Sequence, residues 1–132
     1  MPTGFDALSA EAAGEGYRHL TRFATEWRAG RRFDRDGEAL IVARLHGELA
    51  GIGGLTIDPT VPDALRMRRF YVRSLYRRHG IGRLLAERLL AQARPLRQRI
   101  AVNAAPGSER FWEALGFIAE ARDGHTHVFC GR

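Results

Sequence analysis

Lysine is missing from this chain of 132 residues, and all 21 basic side chains are arginine. Without lysine there is no Gly-Lys-Ser/Thr, so a P-loop is excluded. So one-sided a usage also weakens any inference from the net charge of +6 and the pI near 10.8. A solvated arginine-rich surface accounts for it, although a basic face would also suit a partner carrying several phosphates and would tolerate nucleic acid. Cysteine is nearly absent: Cys130 stands alone two residues from the end, which excludes an internal disulfide and suits a reducing cytoplasm. No apolar run approaches the ~20 residues that cross a bilayer, and Met1 to Gly16 has no arginine-led apolar core with a cleavage signal. The expectation is a cytoplasmic protein without a membrane partner. Repeats and low-complexity tracts are also lacking, and His125 and His127 have no third ligand nearby, so no metal is expected.

The composition, 45% hydrophobic and 27% charged, is that of a folded globular chain. At this length residues 1–132 are expected to form one domain that needs no staple. Ser9 reads as the N-cap of a first helical region, in which Tyr17, Leu20, Phe23, Ala24 and Trp27 form one stripe before Gly30. Gly14 and Gly16 weaken its first half, so one helix or two pieces fit. Ala39 to Leu45 and Leu49 to Ile57 read as a hairpin around His46-Gly47-Glu48, with Gly51, Gly53 and Gly54 tolerable only if something packs close to the backbone. Ala64 to Val72 is a central strand and Ile100 to Asn103 a strand parallel to it, joined by a right-handed crossover. Ser108 caps a short helix to Leu115, and Phe117 to Ala121 with Thr126 to Cys130 form a last hairpin around Asp123-Gly124.

Between the parallel strands lies Arg77-Arg78-His79-Gly80-Ile81-Gly82, opening a helix that runs to Arg94, before Pro95, with Ile81, Leu84, Leu85 and Leu89 on one face. Main-chain N–H groups at such a helix start lack intrahelical partners, the macrodipole adds positive potential, and glycine lets a phosphate approach the backbone. A dinucleotide fingerprint is excluded, because its third glycine position is Leu85. What remains is R-x-x-G-x-G, which fits either a pyrophosphate pocket or a basic turn capping a surface helix.

Together with Phe70-Tyr71-Val72 before it, and with Val102-Asn103-Ala104-Ala105-Pro106 and Phe111-Trp112-Glu113-Ala114-Leu115-Gly116-Phe117 after it, this turn resembles the acyl-coenzyme A site of the GNAT superfamily of N-acetyltransferases. The likeness covers about Glu38 to Cys130. It implies an α/β (α+β) fold with a mixed, mostly antiparallel central sheet, flanking helices, and a parallel pair, the family's fourth and fifth strands, that splays. The family's leading strand has no counterpart here, and the sheet edge this leaves could be covered by a second copy of the chain, which makes a homodimer an expectation. The implied co-substrate is acetyl-coenzyme A, held by Phe70, Tyr71, Val72, Arg77, Arg78, His79, Gly80, Ile81, Gly82 and Arg83, with Asn103, Ser108 and Phe111 along it. The implied acceptor is an amine of a small molecule or peptide, acetylated by direct transfer.

The side chains for acid and base work depart from the family pattern. Where the family often has a tyrosine as proton donor this chain has Trp112, whose indole cannot give up its proton at neutral pH; a core aromatic is the equal alternative. If Trp112 does occupy the donor position, Trp112→Tyr should raise turnover. Where many members carry a glutamate base the chain has Arg66, which with Arg68 and Arg69 would instead favour an acceptor bearing a carboxylate or phosphate. Proton acceptors are left among Glu26, Asp34, Glu38, His125 and His127. The two histidines alternate, so they either line the cleft or form an exposed hairpin pair. Two other classes compete: a non-catalytic acyl-coenzyme A sensor, and, last, a nucleic-acid-binding domain.

Overall fold

The computed structural model of the protein describes residues 1–129, so Cys130 lies outside the described residues. Two helices, α1 (Phe5–Gly14) and α2 (His19–Arg28), come first, then the strands β1 (Ala39–Leu45), β2 (Glu48–Ile57) and β3 (Ala64–Val72). A short 3-10 turn, Ser74–Tyr76, leads to α3 (Ile81–Ala93), which is followed by β4 (Arg99–Val102), α4 (Glu109–Ala114), β5 (Ile118–Arg122) and β6 (His125–Phe129). The six strands form one sheet in the order β1-β2-β3-β4-β6-β5. Only β3 and β4 run parallel; every other pair is antiparallel. Among the described residues no helix is long and apolar enough to cross a membrane.

Two apolar layers hold the sheet. On one side α3 presents Leu85, Ala86, Leu89, Leu90 and Ala93, one stripe at helical spacing, to Leu55, Leu65, Met67, Ile100 and Val102. On the other, Phe5, Leu8 and Ala12 of α1 and Leu20 and Phe23 of α2 close over Leu49, Ile52 and Tyr71. Burying each such leucine or phenylalanine is worth about 1.5–3 kcal/mol. Covered on both faces, β2 has no use for alternating polarity, and its residues from Leu49 to Thr56 are all buried.

The glycines of β2 mark close approaches. A Cβ on Gly53 would lie 2.8 Å from the Phe70 ring, and one on Gly54 would lie 2.7 Å from the Phe33 ring. Aromatic rings therefore lie against the strand from opposite sides, because the two residues face opposite ways.

Several boundaries differ from the sequence expectation. Ser9 lies inside α1 and caps nothing; the helix starts at Phe5, after Gly4 at φ 91°. The first helical region is two helices. Leu84 is half exposed, because the buried stripe of α3 runs through Ala86 and Leu90 instead. β4 begins one residue earlier than expected and ends at Val102, leaving Asn103 exposed beyond it. Ser108 makes no side-chain cap: its hydroxyl donates to the Ala105 carbonyl at 2.7 Å, and the Glu109 carboxylate accepts the Gly107 N–H at 2.9 Å.

Candidate functional site

The parallel ladder between β3 and β4 ends early. Its pairs run from Ala64–Arg99 to Met67–Val102, after which β3 continues for five residues and β4 has stopped. The exposed side of β3 beyond Met67 is a gap in the sheet. A bulge shapes it, since Ile52 faces Tyr71 while Gly54 faces Arg68, so that β3 carries one extra residue. Arg69 absorbs the bulge at φ 64°, a conformation that L residues other than asparagine and aspartate seldom adopt. Its buried guanidinium is anchored at 2.5 Å by Glu26 of α2. The extra residue sends both Arg68 and Arg69 toward α2, Phe70 toward α4 and Tyr71 back among the α1 and α2 residues. The Arg73 N–H donates to Ala50 O across the β2 ladder at 2.9 Å. Strand amides alternate in direction, so the Val72 N–H projects the opposite way, into the gap.

At the end of this strand the basic turn is latched rather than free. Arg77 donates Nη1 to Glu15 Oε2 at 3.0 Å, Nη2 to Glu15 Oε1 at 2.6 Å and Nε to the Val72 carbonyl at 2.9 Å, with its guanidinium over the Tyr71 ring. The guanidinium expected to meet a pyrophosphate is therefore committed to bracing the loop. The Tyr71 hydroxyl shares its one hydrogen between the carboxylates of Glu15 and, at 2.8 Å, Glu11. Glu11 also accepts the Ser74 N–H and Arg73 Nε. Burial, then the Glu15 and Glu11 carboxylates, push the Tyr71 phenol far above its ordinary range, so it stays a donor. Arg77 and then Tyr71 hold the Glu15 carboxyl below its usual range. In this way α1 positions the loop through carboxylates that lie 56 to 63 residues away from their partners in sequence.

Beyond the latch, Gly80 takes φ 80° and precedes α3 without any side-chain cap, and a Cβ placed on it would meet nothing within 4 Å. The first N–H groups of α3, from Ile81 to Arg83, thus start a helix in open space beside the gap. Gly82 differs: a Cβ placed on it would lie 3.3 Å from the Phe111 ring and 3.5 Å from the Val72 side chain, so it brings α3 close to α4 and β3. Arg78 and His79 are exposed, and Arg83 pairs with Glu87 at 3.1 Å on the helix surface. These amides and glycines fit an anionic group with several oxygens, with the exposed Arg78 and Arg83 at its rim.

The other candidate side chains are less available. Trp112 is 4% exposed and sits edge-on against Phe70, Phe111 and Phe117 at 4.9 to 5.3 Å. It packs as a core aromatic, the second of the two readings its sequence position allowed. His125 and His127 are neither an exposed pair nor free bases: both are buried, His125 against Glu120 at 3.3 Å and His127 between Glu113 at 2.9 Å and Thr126 at 2.8 Å. Glu38 is buried and accepts the Ile57 and Arg35 amides, whereas Asp34 is exposed. Arg66 pairs with the buried Asp58 at 3.3 Å and donates to the Gly124 and Asp123 carbonyls, tying β3 to the β5–β6 turn. Both of its Nη atoms are engaged within the protein, and Nε is buried.

A residue outside the sequence candidates occupies the site. His19, the first residue of α2, reaches the Phe70 carbonyl with Nε2 at 2.7 Å. A carbonyl only accepts, so Nε2 carries the proton and Nδ1 keeps its lone pair. Desolvation first, and then Arg69 and Arg22, hold its pKa below the ordinary histidine value although the Phe70 carbonyl opposes them. The Tyr17 and Tyr71 rings flank it. The sequence holds a weak signal for it, a polar residue interrupting the Tyr17–Leu20–Phe23 stripe; its partner lies 51 residues away.

Comparison with known proteins follows this geometry. No curated protein sequence matches the chain. A family described as "Acetyltransferase (GNAT) domain" matches residues 6–128. Among solved structures, an acetyltransferase assignment from Exiguobacterium sp. 255-15 superposes with a TM-score of 0.85 at 28% identity, covering 92% of this chain and 81% of that one. An acetyltransferase from Streptococcus agalactiae 2603 gives 0.71 at 18% identity, over 97% and 90%. Rv2747 from Mycobacterium tuberculosis, solved in complex with CoA and NLQ, gives 0.65 at 23%, over 90% and 69%. With residues 6–128 inside that family match, the protein belongs to the GNAT acetyltransferases and is an acetyl-coenzyme A-dependent acyltransferase.

Proposed function

We propose that the protein acetylates a primary amine by direct transfer, with His19 as the proton acceptor. The observation that carries this reading is the gap along Phe70 to Val72, which has the uncapped start of α3 at one end and the neutral imidazole of His19 on the Phe70 carbonyl. Rv2747 was solved with CoA, and this chain has groups that fit such a molecule: the amides of Ile81 to Arg83 and the rim cations Arg78 and Arg83 would hold the diphosphate. When bound, acetyl-coenzyme A supplies an acyl carbon joined to a thiol whose pKa near 8.5 lets it leave as thiolate.

The chain's own groups do the rest. The Val72 N–H, fixed by the bulge, is aimed into the gap where oxyanion charge would develop. His19 takes a proton at Nδ1 from the acceptor's ammonium group; the freed nitrogen then bonds to the acyl carbon as the carbon–sulfur bond breaks, the nitrogen's second proton leaves with the thiolate or to solvent, and His19 returns its own proton to solvent. Holding both reactants in one slot lowers the entropic barrier by several kcal/mol. The latch from Glu11 and Glu15 through Tyr71 to Arg77 keeps strand and turn in register.

Release of thiol from acetyl-coenzyme A against a panel of amines tests the reading. Acceptor-dependent release supports it. Tight coenzyme A binding with no release from any amine would assign the chain to the sensor class instead.

A further inference from the structure

Three arginines follow one another on the acceptor side of β3, and two of them are neutralised within the protein. Arg66 has Asp58, and Arg69 has Glu26. Arg68 is half-buried, and among the described residues no carboxylate lies within ion-pair distance of it. Its neighbours are mostly cations: Arg69, Arg31 and Arg66 all act on it, with only Glu26, already committed to Arg69, in opposition. Cross-strand partners share a face, so Arg68 points to the same side as the Cβ direction of Gly54, which is covered by Phe33. This is also the side of Glu26, Trp27 and the His19 helix. A partly desolvated guanidinium among like charges is costly to keep without an anion, and a planar fork of donors suits a carboxylate or another oxyanion.

We infer that Arg68 binds an oxyanion carried by the amine acceptor, a carboxylate above all, so that the substrates are amino acids whose acid group lies a few bonds from the nitrogen. The inference rests on the amine-acetylation reading. Arg68 precedes Phe70, the residue that holds His19, by two positions, with the bulge residue Arg69 between them, so their backbones lie within about 7 Å. A molecule gripped by its acid at Arg68 thus brings its amine to the imidazole, while Phe33 offers an apolar wall to a side chain. Arg66 and Arg69 keep the site from being satisfied internally, because they consume the nearest carboxylates.

The test uses a panel of α-amino acids and ω-amino acids of roughly two to four carbons (a range set by that backbone spacing), each paired with its carboxamide and its phosphonate. kcat/KM is measured for wild type, Arg68→Met and Arg68→Lys, whose folding is checked by thermal melting. The wild-type preference for the acid over the carboxamide should fall at least ~30-fold in Arg68→Met, mainly through KM, and be partly kept in Arg68→Lys. Taking the ratio across variants cancels the different basicity of acid and amide. Phosphonates that rival the carboxylates would mark a general oxyanion site, and carboxylates alone would mark the narrower one. A preference that is the same within threefold in wild type and Arg68→Met overturns the inference. Binding is measured separately by titrating the amino acids into the coenzyme A-loaded protein at low and high salt. Salt-sensitive binding that Arg68→Met abolishes, with no turnover of any amine, keeps the oxyanion site and sinks the acetylation reading. Turnover of amines with no preference for acids does the reverse, and loss of both sinks both.

Discussion

His19→Gln is the most informative perturbation, because glutamine can still donate an N–H to the Phe70 carbonyl but cannot take a proton. An acceptor amine of pKa near 10.4 is neutral in only about one molecule in two thousand at pH 7, so a base at the site has a large barrier to remove. The histidine is suited to that work: burial, then Arg69 and Arg22, hold its pKa below the ordinary histidine value, which favours the neutral, proton-accepting form near neutral pH. General base help is worth ~10²–10⁴-fold, about 2.7–5.4 kcal/mol. In stopped thiol-release assays from pH 5.5 to 9.5, on the order of four units about neutrality, wild-type kcat/KM should climb below the histidine pKa and flatten above it. The sign follows from the shift: protonation is disfavoured in the fold, so activity is kept well into mildly acidic solution and is lost only as pH falls through the depressed value. In His19→Gln the plateau should drop by at least ~100-fold and be replaced by a rise with pH that continues to the amine's own pKa. An unchanged plateau, or the same rise in both proteins, would refute a proton-accepting role and leave His19 as a strand-positioning residue.

Other substitutions test the scaffold. Glu15→Gln removes the charge that latches Arg77; since both side chains are about one-third exposed, a loss of about 0.5–1 kcal/mol is expected, a few degrees in Tm, together with several-fold weaker coenzyme A binding by calorimetry. The Glu15 and Glu11 carboxyls have depressed pKa values, so their contribution to stability is full above about pH 4.5 and fades as pH falls through the folded-state values; melting curves for Glu15→Gln should show a flatter acid limb. Gly53→Ala places a methyl 2.8 Å from the Phe70 ring, which should cost ~1–3 kcal/mol and lower kcat by displacing the strand at the gap; denaturant titration with a parallel rate measurement checks both. Trp112→Tyr, in a core position, should lower stability by ~1–3 kcal/mol and leave turnover no higher than wild type, whereas a faster enzyme would restore Trp112 as a donor position.

By itself the sequence determined the local elements and the family. Ala39 to Leu45 and Ala64 to Val72 were legible as strands because apolar runs bounded by turn residues are a short-range signal, and the Asp123-Gly124 turn because it needs left-handed backbone, which it takes at φ 53° and 80°. The glycine turn before α3 was legible for the same reason. Tertiary structure alone decided the chemistry of the side chains. Whether an arginine is free depends on which carboxylate reaches it, and the partners of Arg66, Arg69 and Arg77 come from 8, 43 and 62 residues away. That distribution separates Arg68 from its neighbours, makes Arg77 a brace of the basic turn, and buries His125 and His127. It also selects His19, whose ring becomes a candidate base only when α2 is folded against the bulge of β3. A charge or lone pair is defined by its surroundings in space, and those surroundings are built by residues that the chain order keeps apart.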